Sequence, residues 1–411
     1  MNRKTLTDCV QSYIDNRGIT PKKLKGDFAD GVTKHMVLSA NNVKSKGLVK
    51  LSEVRYVNDD LYTKWMAEDI QKGDILLTSE APAGEVLYWD SDEKVVVGQR
   101  LYALRTNTSV VDSLYLSYYL KSPKGQTEIN KNLTGSTVFG ISQKTFDNIM
   151  VDLPNMDRQL QIGKILKAID DKIANNNAIN AELEAMAKTI YDYWFLQFEF
   201  PDENGKPYKS SGGKMIYNEE LKREIPEYWE ATNIGTITEC LDARRIPVSS
   251  KDRETKRGDI PYYGATGIMD YVDEALFDGD YVLVAEDGSV MDSNGNPILQ
   301  RITGKTWVNN HAHVLKPVKG YDCKLLMLLL KDVQVSTIKT GSIQMKINQA
   351  KMNSIAIPDI PTVLLKQANA IFNQIDQYQL LVMKENQELA TLRDFLLPLL
   401  MNGQVGFKED V

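Results

Sequence analysis

The 411-residue sequence predicts an α+β protein: two globular units of mixed helix and strand, each followed by a long helix, with the two helices paired as a coiled coil. Three observations predict it. Two halves of the chain match at a constant offset of 206 residues. Short strand-like runs among Gly, Asn and Asp turns precede each matched segment. A heptad seam follows each one over about 33 residues.

The repeat is most visible where TGSTVFGISQKTFDNI (134–149) is answered by TGSIQMKINQAKMNSI (340–355). At the same offset Gly73-Asp74 matches Gly279-Asp280, Leu77 matches Leu283 and Glu80 matches Glu286. Ile141, Gln143 and Ile149 match Ile347, Gln349 and Ile355, and Ile169-Asp170 matches Ile375-Asp376. A period this long describes a duplicated domain plus helix, not a solenoid.

Within each unit DILLT (74–78) and YVLVA (281–285) read as strands. Ser142 and Asn348 fall at helix N-cap positions. Ile149, Val151 and Leu153 alternate as a strand ending at Pro154. The first seam runs through residues 162, 166, 169, 173, 176, 180, 183, 187, 190 and 194. Adding 206 gives the second, and both place Asn at one position, Asn180 and Asn386, which are expected to set helix register. PDENGKPYKSSGGKM (201–215) reads as a flexible connection. The tail after Leu400 reads as frayed beyond a Gly403 stop. These signals divide the chain into a first unit (1–154), a first helix (155–200), a linker (201–230), a second unit (231–358) and a second helix with tail (359–411).

Composition bounds the function. No run reaches the ~18 apolar residues of a membrane span, and the N-terminal MNRKTLTDCVQSY has no signal core, so a cytoplasmic protein is expected. Cys9, Cys240 and Cys323 are far apart and form no CxxC pair, which fits reduced thiols. Net charge is −6, yet residues 1–50 hold ten Lys or Arg against four Asp or Glu. Residues 244–257 hold six against two. Such patches suit phosphate, though a lysine-rich stretch is often only a solvated face.

Catalytic motifs fail on inspection. TGKT (303–306) lacks the earlier phosphate-loop glycine, since Leu299 stands there. NPIL (296–299) and PDENGK (201–206) each match only the start of a methyltransferase or nuclease motif. His311 and His313 share a strand face without a nearby third ligand, so no metal is expected and a hydrogen-bonding role is. Asp170-Asp171 reads as a solvated pair. The residues point away from an enzyme.

The duplicated TGS…I-x-Q segments, IPYYGATGIMDY (260–271), FDGDYVLVAEDG (277–288), GKTWVNNHAHVL (304–315), IPEYWE (225–230) and FLLPLLMNGQV (395–405) occur in an order that resembles the specificity subunits of type I restriction–modification systems over essentially the whole chain. The second helix departs from the family in lacking a Pro-x-x-x-Glu-Gln entry. The resemblance implies two target recognition domains, each reading half of a bipartite DNA site. It implies helices that pair antiparallel as a spacer and dock two methyltransferase subunits, with restriction subunits beyond them. S-adenosylmethionine, ATP and Mg²⁺ would then sit on those partners and none on this chain.

DNA-binding candidates follow. Lys22, Lys23, Lys25 and Lys34, and Arg244, Arg245, Lys251 and Arg253, suit phosphate. Gly135, Ser136, Gly341 and Ser342 of the TGS turns, with Lys144 and Lys346 beside them, suit a phosphate at a helix N-terminus. Gln143, Gln344, Gln349, Asn309, Asn310 and Tyr263 are the candidates for reading bases. The competing expectation is a coiled-coil scaffold whose units bind protein, with DNA left to partners.

Overall fold

A computed structural model describes residues 2–29, 34–135, 139–340 and 345–406. The chain divides into two compact units: Met1–Asn176 with Lys384–Val411, and Asn177–Met383. Both long helices therefore contribute one part to each unit.

In unit 1, strand β1 (Asn2–Thr5) pairs antiparallel with β6 (Met150–Leu153), Asn2 opposite Leu153 and Thr5 opposite Met150. A single helical turn, Leu6–Cys9, follows under a capping box: Thr5 Oγ1 accepts from the Asp8 amide and Asp8 Oδ2 from the Thr5 amide, both at 3.1 Å. Next comes β2 (Val10–Asp15), at the edge of a four-stranded sheet ordered β2, β5 (Leu101–Thr106), β3 (Ile75–Thr78), β4 (Val86–Tyr88). A second sheet joins Arg55–Val57 to His35–Leu38, which runs parallel to Val96–Val97. Helix α1 (Ser113–Lys121), capped by Asp112, packs Tyr115, Leu116 and Tyr119 into the core.

Unit 2 repeats the plan. Strand β7 (Ala231–Asn233) pairs with β14 (Ala356–Pro358), and a turn capped by Asn233 leads into β8 (Thr238–Cys240). One six-stranded sheet then runs β8, β13 (Ala312–Pro317), β11 (Phe277–Ala285), β12 (Leu299–Val308), β9 (Arg257–Tyr263), β10 (Ile268–Val272). Strand order and the parallel step, here between β9 and β12, reproduce unit 1. At the entry the offset is 228, the distance from Leu6 to Ile234, not 206. The matched glycines are explained by backbone geometry: Gly73 and Gly279 sit at φ +98° and +144°, where a Cβ is strained.

Helix α2 (Met156–Tyr191) and helix α4 (Thr362–Met401) carry the seams. Every predicted seam position on either helix is buried or half-buried. In unit 1, Asp170 accepts from Arg393 Nη1 (2.9 Å) and Asn176 meets Asn386 (2.9 Å), so partner numbers fall as those on α2 rise. In unit 2, Gln379 Nε2 donates to the Asn180 carbonyl at 3.2 Å, while Ala187 and Tyr191 join Leu364, Ala368 and Phe372 in one core. The helices are antiparallel in both units, as the family resemblance implied. Asp170 is thus not solvated: its carboxylate also accepts from Tyr118. Its repeat, Asp376, is buried against Arg301 at 3.0 Å.

Two expectations are corrected. The segment after the first helix is folded: Met215–Asn218 and Arg223–Pro226 form a hairpin, and Phe200 stacks on Tyr208 (4.9 Å) and Trp229 (5.3 Å). Aromatic burial outweighs the flexibility its Gly, Ser and Lys content suggested. The tail holds through Gly406 among the described residues. Gly403 takes φ +70°, its amide and that of Gln404 cap the Leu400 and Leu399 carbonyls, and the Val405 carbonyl accepts from Arg158. Residues 407–411 lie outside the described residues.

Helix α3 (Cys323–Lys331) is capped by Asp322, whose Oδ1 accepts from the Leu325 amide at 2.7 Å. Its Oδ2 is buried without a partner among the described residues, and burial pushes the carboxyl up to about 6. The folded state therefore binds a proton the unfolded state releases. Its contribution is complete below pH 4 and is lost as pH rises through about 6. Asp322→Asn keeps the cap and removes the charge. It is expected to stabilise unit 2 by about 1–2 kcal/mol at pH 8, with no gain near pH 4, read from urea melts at both values. Equal melts at pH 8 would refute it.

Candidate nucleic-acid interface

The basic stretch of unit 1 is organised by Pro21–Leu24, a 3₁₀ turn whose first amides are covered by Thr20. Lys25 caps it in the left-handed region, φ 59°. Lys22 and Lys25 are exposed, with no ion-pair partner among the described residues. Lys23 is held by the Gly18 carbonyl (2.6 Å), and Lys34 by Asp59 (2.5 Å), which also receives His35. Behind the turn lies a groove of about 640 Å³ lined by Lys22, Phe28, Asn41, Lys50, Arg55 and Trp65. Asn42 builds its wall by accepting from the Ser39 amide and hydroxyl. Asn41, Lys50 and Arg55 were not picked from the sequence. Their signal, three polar residues spread over fifteen positions, is legible only once two strands bring them together.

In the first TGS segment Gly135 takes φ +133°, and Ser136 lies outside the described residues. Ser142 precedes a 3₁₀ turn, Gln143–Asn148, without capping it through its side chain. Gln143 is occupied: its Nε2 donates to Asp15 (2.9 Å) and its Oε1 accepts from Tyr13 (3.1 Å). Lys144 is exposed. In the second segment Gly341, Ser342 and Gln344 lie outside the described residues. Lys346 pairs with Glu286 at 2.8 Å. Gln349 is exposed at the start of a short helix that Asn348 caps.

The second basic stretch splits by role. Arg245 is nearly buried and donates to Glu286 (2.5 Å), the Ala312 carbonyl (2.7 Å) and the Asp242 carbonyl (3.1 Å). Arg253 lies over the Tyr262 ring and donates to Asp270 (2.9 Å) and the Val248 carbonyl (2.8 Å). Both are committed inside the protein. Lys251 is exposed, and Arg244 is exposed over Phe277. Asn309 is buried, accepting from the His311 amide, whereas Asn310 is exposed. Tyr263 is half-buried in strand β9, and burial raises its phenol.

The structure brings Cys240, Asp242 and His313 together, their ligand atoms within 4.8 Å. Cys240 comes from the neighbouring strand β8, whereas His311 precedes β13 and stands apart from the cluster, its Nδ1 2.5 Å from Asp287. The donors are already committed. His313 Nδ1 lies 2.5 Å from Asp242 and Nε2 3.0 Å from the Ile347 carbonyl. Arg245 Nη2 lies 3.3 Å from Asp242, and burial pushes the Cys240 thiol up to about 12. An ion would have to displace an arginine and a carbonyl contact. The cluster is a charge-paired anchor that fastens residues 346–347 to the sheet.

A duplicated framework bearing unlike cationic loops, joined to paired helices, defines a tandem-domain recognition protein. Residues 5–185 and 226–391 match the family described as Type I restriction modification DNA specificity domain, and the chain belongs to that family. It is 27% identical over 357 residues to the MjaIX type I restriction enzyme specificity subunit of Methanocaldococcus jannaschii, covering 82% of this chain and 79% of that protein. It is 32% identical over 135 residues to the HindI specificity subunit of Haemophilus influenzae, covering 32% of this chain and 29% of that one. A crystal structure of the S subunit of a type I system from M. genitalium shares the fold, with TM-score 0.58 at 18% identity, over 97% of this chain and 95% of that one. No described helix is long and apolar enough to cross a membrane.

Proposed function

We propose that this specificity subunit reads a bipartite double-stranded DNA site, one half through each unit, and that it does no chemistry itself. The observation that carries the reading is one strand order used twice with different loop faces, which is what two half-sites of unlike sequence require. Exposed Lys22, Lys25, Lys144 and Lys251 serve as phosphate contacts, since charge that is not already paired can replace DNA counterions. Asn310 and Gln349, both exposed, remain available to bases.

The helices act as spacer and docking surface for two methyltransferase subunits, through which restriction subunits join. S-adenosylmethionine, ATP and Mg²⁺ belong to those partners, and the complex works in the cytoplasm with the chromosome. Register is held in unit 1 by a polar layer built around buried Asn176. Asn176 Nδ2 donates to Asn386 Oδ1 (2.9 Å) and Glu385 Oε2 (2.7 Å), while Lys172 bridges Asn176 and Glu385 (both 2.9 Å). Asn386 thus finds Asn176, and Asn180 instead offers its carbonyl to Gln379. A slip of one turn would leave buried Asn176 without these partners.

The test is a genome-wide map of N6-methyladenine in strains with and without the gene. Loss of one motif, two short halves around a fixed gap, is expected on deletion. An unchanged map, together with no sequence preference in the purified complex, would favour the scaffold reading.

A further inference from the structure

The chain has thirteen arginines, and most of those described are paired with carboxylates. Two are different. Arg55 lies over the Phe28 ring with its guanidinium carbon 4.7 Å from the centroid, and Arg244 lies over Phe277 at 5.0 Å. Both are exposed, and neither has a carboxylate partner among the described residues. Each supporting ring rests on a second aromatic: Phe28 on buried Trp65 at 6.5 Å, and Phe277 on buried Tyr281 at 5.6 Å. Arg244 is fixed further by donating Nη2 to the Leu276 carbonyl at 2.8 Å. Other stacked arginines are used up: Arg17 over Tyr102 pairs with Asp15, Arg253 over Tyr262 pairs with Asp270, and Arg223 over Phe198 is half-buried. Arg257 is exposed, with no ring beneath it among the described residues.

Stacking leaves the in-plane N–H edge of a guanidinium free and limits the conformations it must give up on binding. A planar fork held at a surface fits a planar pair of acceptors. In a duplex the major-groove edge of guanine, N7 and O6, is that pair. A phosphate contact needs only charge, which the nearby lysines already supply. The two stacks are also not copies of each other: Phe277 minus 206 is Gln71, and minus 228 is Val49. They lie in the part of each unit that diverges, where sequence preference has to differ.

We propose that Arg55 and Arg244 are specificity-determining residues, each reading a guanine in its own half-site through N7 and O6, with Phe28 and Phe277 as positioning platforms. This rests on the DNA-reading function above. The experiment uses the subunit in complex with its methyltransferase subunits, and duplexes carrying the wild-type motif with every base pair substituted in turn. Arg55→Lys is expected to lose roughly ten- to hundredfold discrimination at one G·C position of one half only. Arg244→Lys is expected to do so in the other half. Binding to random duplex and its salt slope stay as in wild type, because lysine keeps the charge. Replacing the assigned guanine by 7-deazaguanine, which lacks the N7 acceptor, weakens the wild type and leaves the lysine variant unmoved. Melting of each variant complex confirms that it is folded. Lysine variants that keep the wild-type preference at every position, with alanine variants weaker on all sequences, would make these arginines phosphate contacts and overturn the assignment. A half-site with no G·C pair overturns it for that half. A wild-type complex with no sequence preference sinks the underlying function instead, so the two failures are told apart.

Discussion

Arg245→Ala is expected to destabilise unit 2 by about 3–5 kcal/mol, the cost of removing one partner from a buried ion pair. Its side chain is only 11% exposed and holds two carboxylates, Asp242 (3.3 Å) and Glu286 (2.5 Å), near buried His313. Burial works to raise both acids, yet hydrogen bonds win: from His313 chiefly for Asp242, and from Lys346 and Arg245 for Glu286. Both carboxyls sit below the usual range. Groups with lowered pKa stabilise the fold above their unfolded values, 3.8 and 4.5, and lose that contribution as pH falls through the folded ones. The deficit of the alanine variant is therefore full at pH 7 and narrows in acid, as the stranded carboxylates take up protons. Hydrogen exchange in residues 277–285 and 312–317, with urea melts, reads it out. Lys251→Ala, an exposed helix position in the same basic stretch, is expected to stay within about 0.5 kcal/mol of wild type. If both variants melted alike, Arg245 would not be the structural member of this patch.

Trp229→Ala is expected to cost about 3–5 kcal/mol and to release the segment before it. The indole is 2% exposed and touches Phe195 (6.4 Å), Phe198 (5.5 Å, nearly perpendicular) and Phe200 (5.3 Å, nearly parallel). Its Nε1 has no hydrogen-bond partner among the described residues, so the loss is one of packing and cavity alone. Limited trypsin digestion gives a sharp signal. Lys209 and Lys214 resist cleavage in the wild type and become early cut sites in the variant. A wild-type protein cut at once at these lysines would restore the flexible connection suggested by composition.

The contrast between those residues shows how far sequence reasoning reached. Arg244, Arg245, Lys251 and Arg253 look alike in a charge count, because charge is a property of each residue. Whether the charge is available depends on the acid opposite, and those acids are far away in sequence: Glu286 is 41 residues from Arg245 and Asp270 is 17 from Arg253. Arg55 escaped notice for the same reason in reverse, since only folding puts Phe28 beneath it. The aromatics around 198–229 were visible one by one, but Gly, Ser and Lys between them masked a cluster that forms only when Phe200, Tyr208 and Trp229 stack.

By itself the sequence determined the duplication, the strand segments, and the burial of every seam position on two long helices, because periodicity and repetition are written in the order of side chains. Folding alone decided which seam asparagine meets which, where the entry offset shifts from 206 to 228, and which cations remain free to meet a phosphate or a base. Those are properties of pairs of residues distant along the chain. An antiparallel helix register, a sheet crossing or an ion pair is selected by the whole set of contacts it satisfies, and no local stretch carries that sum.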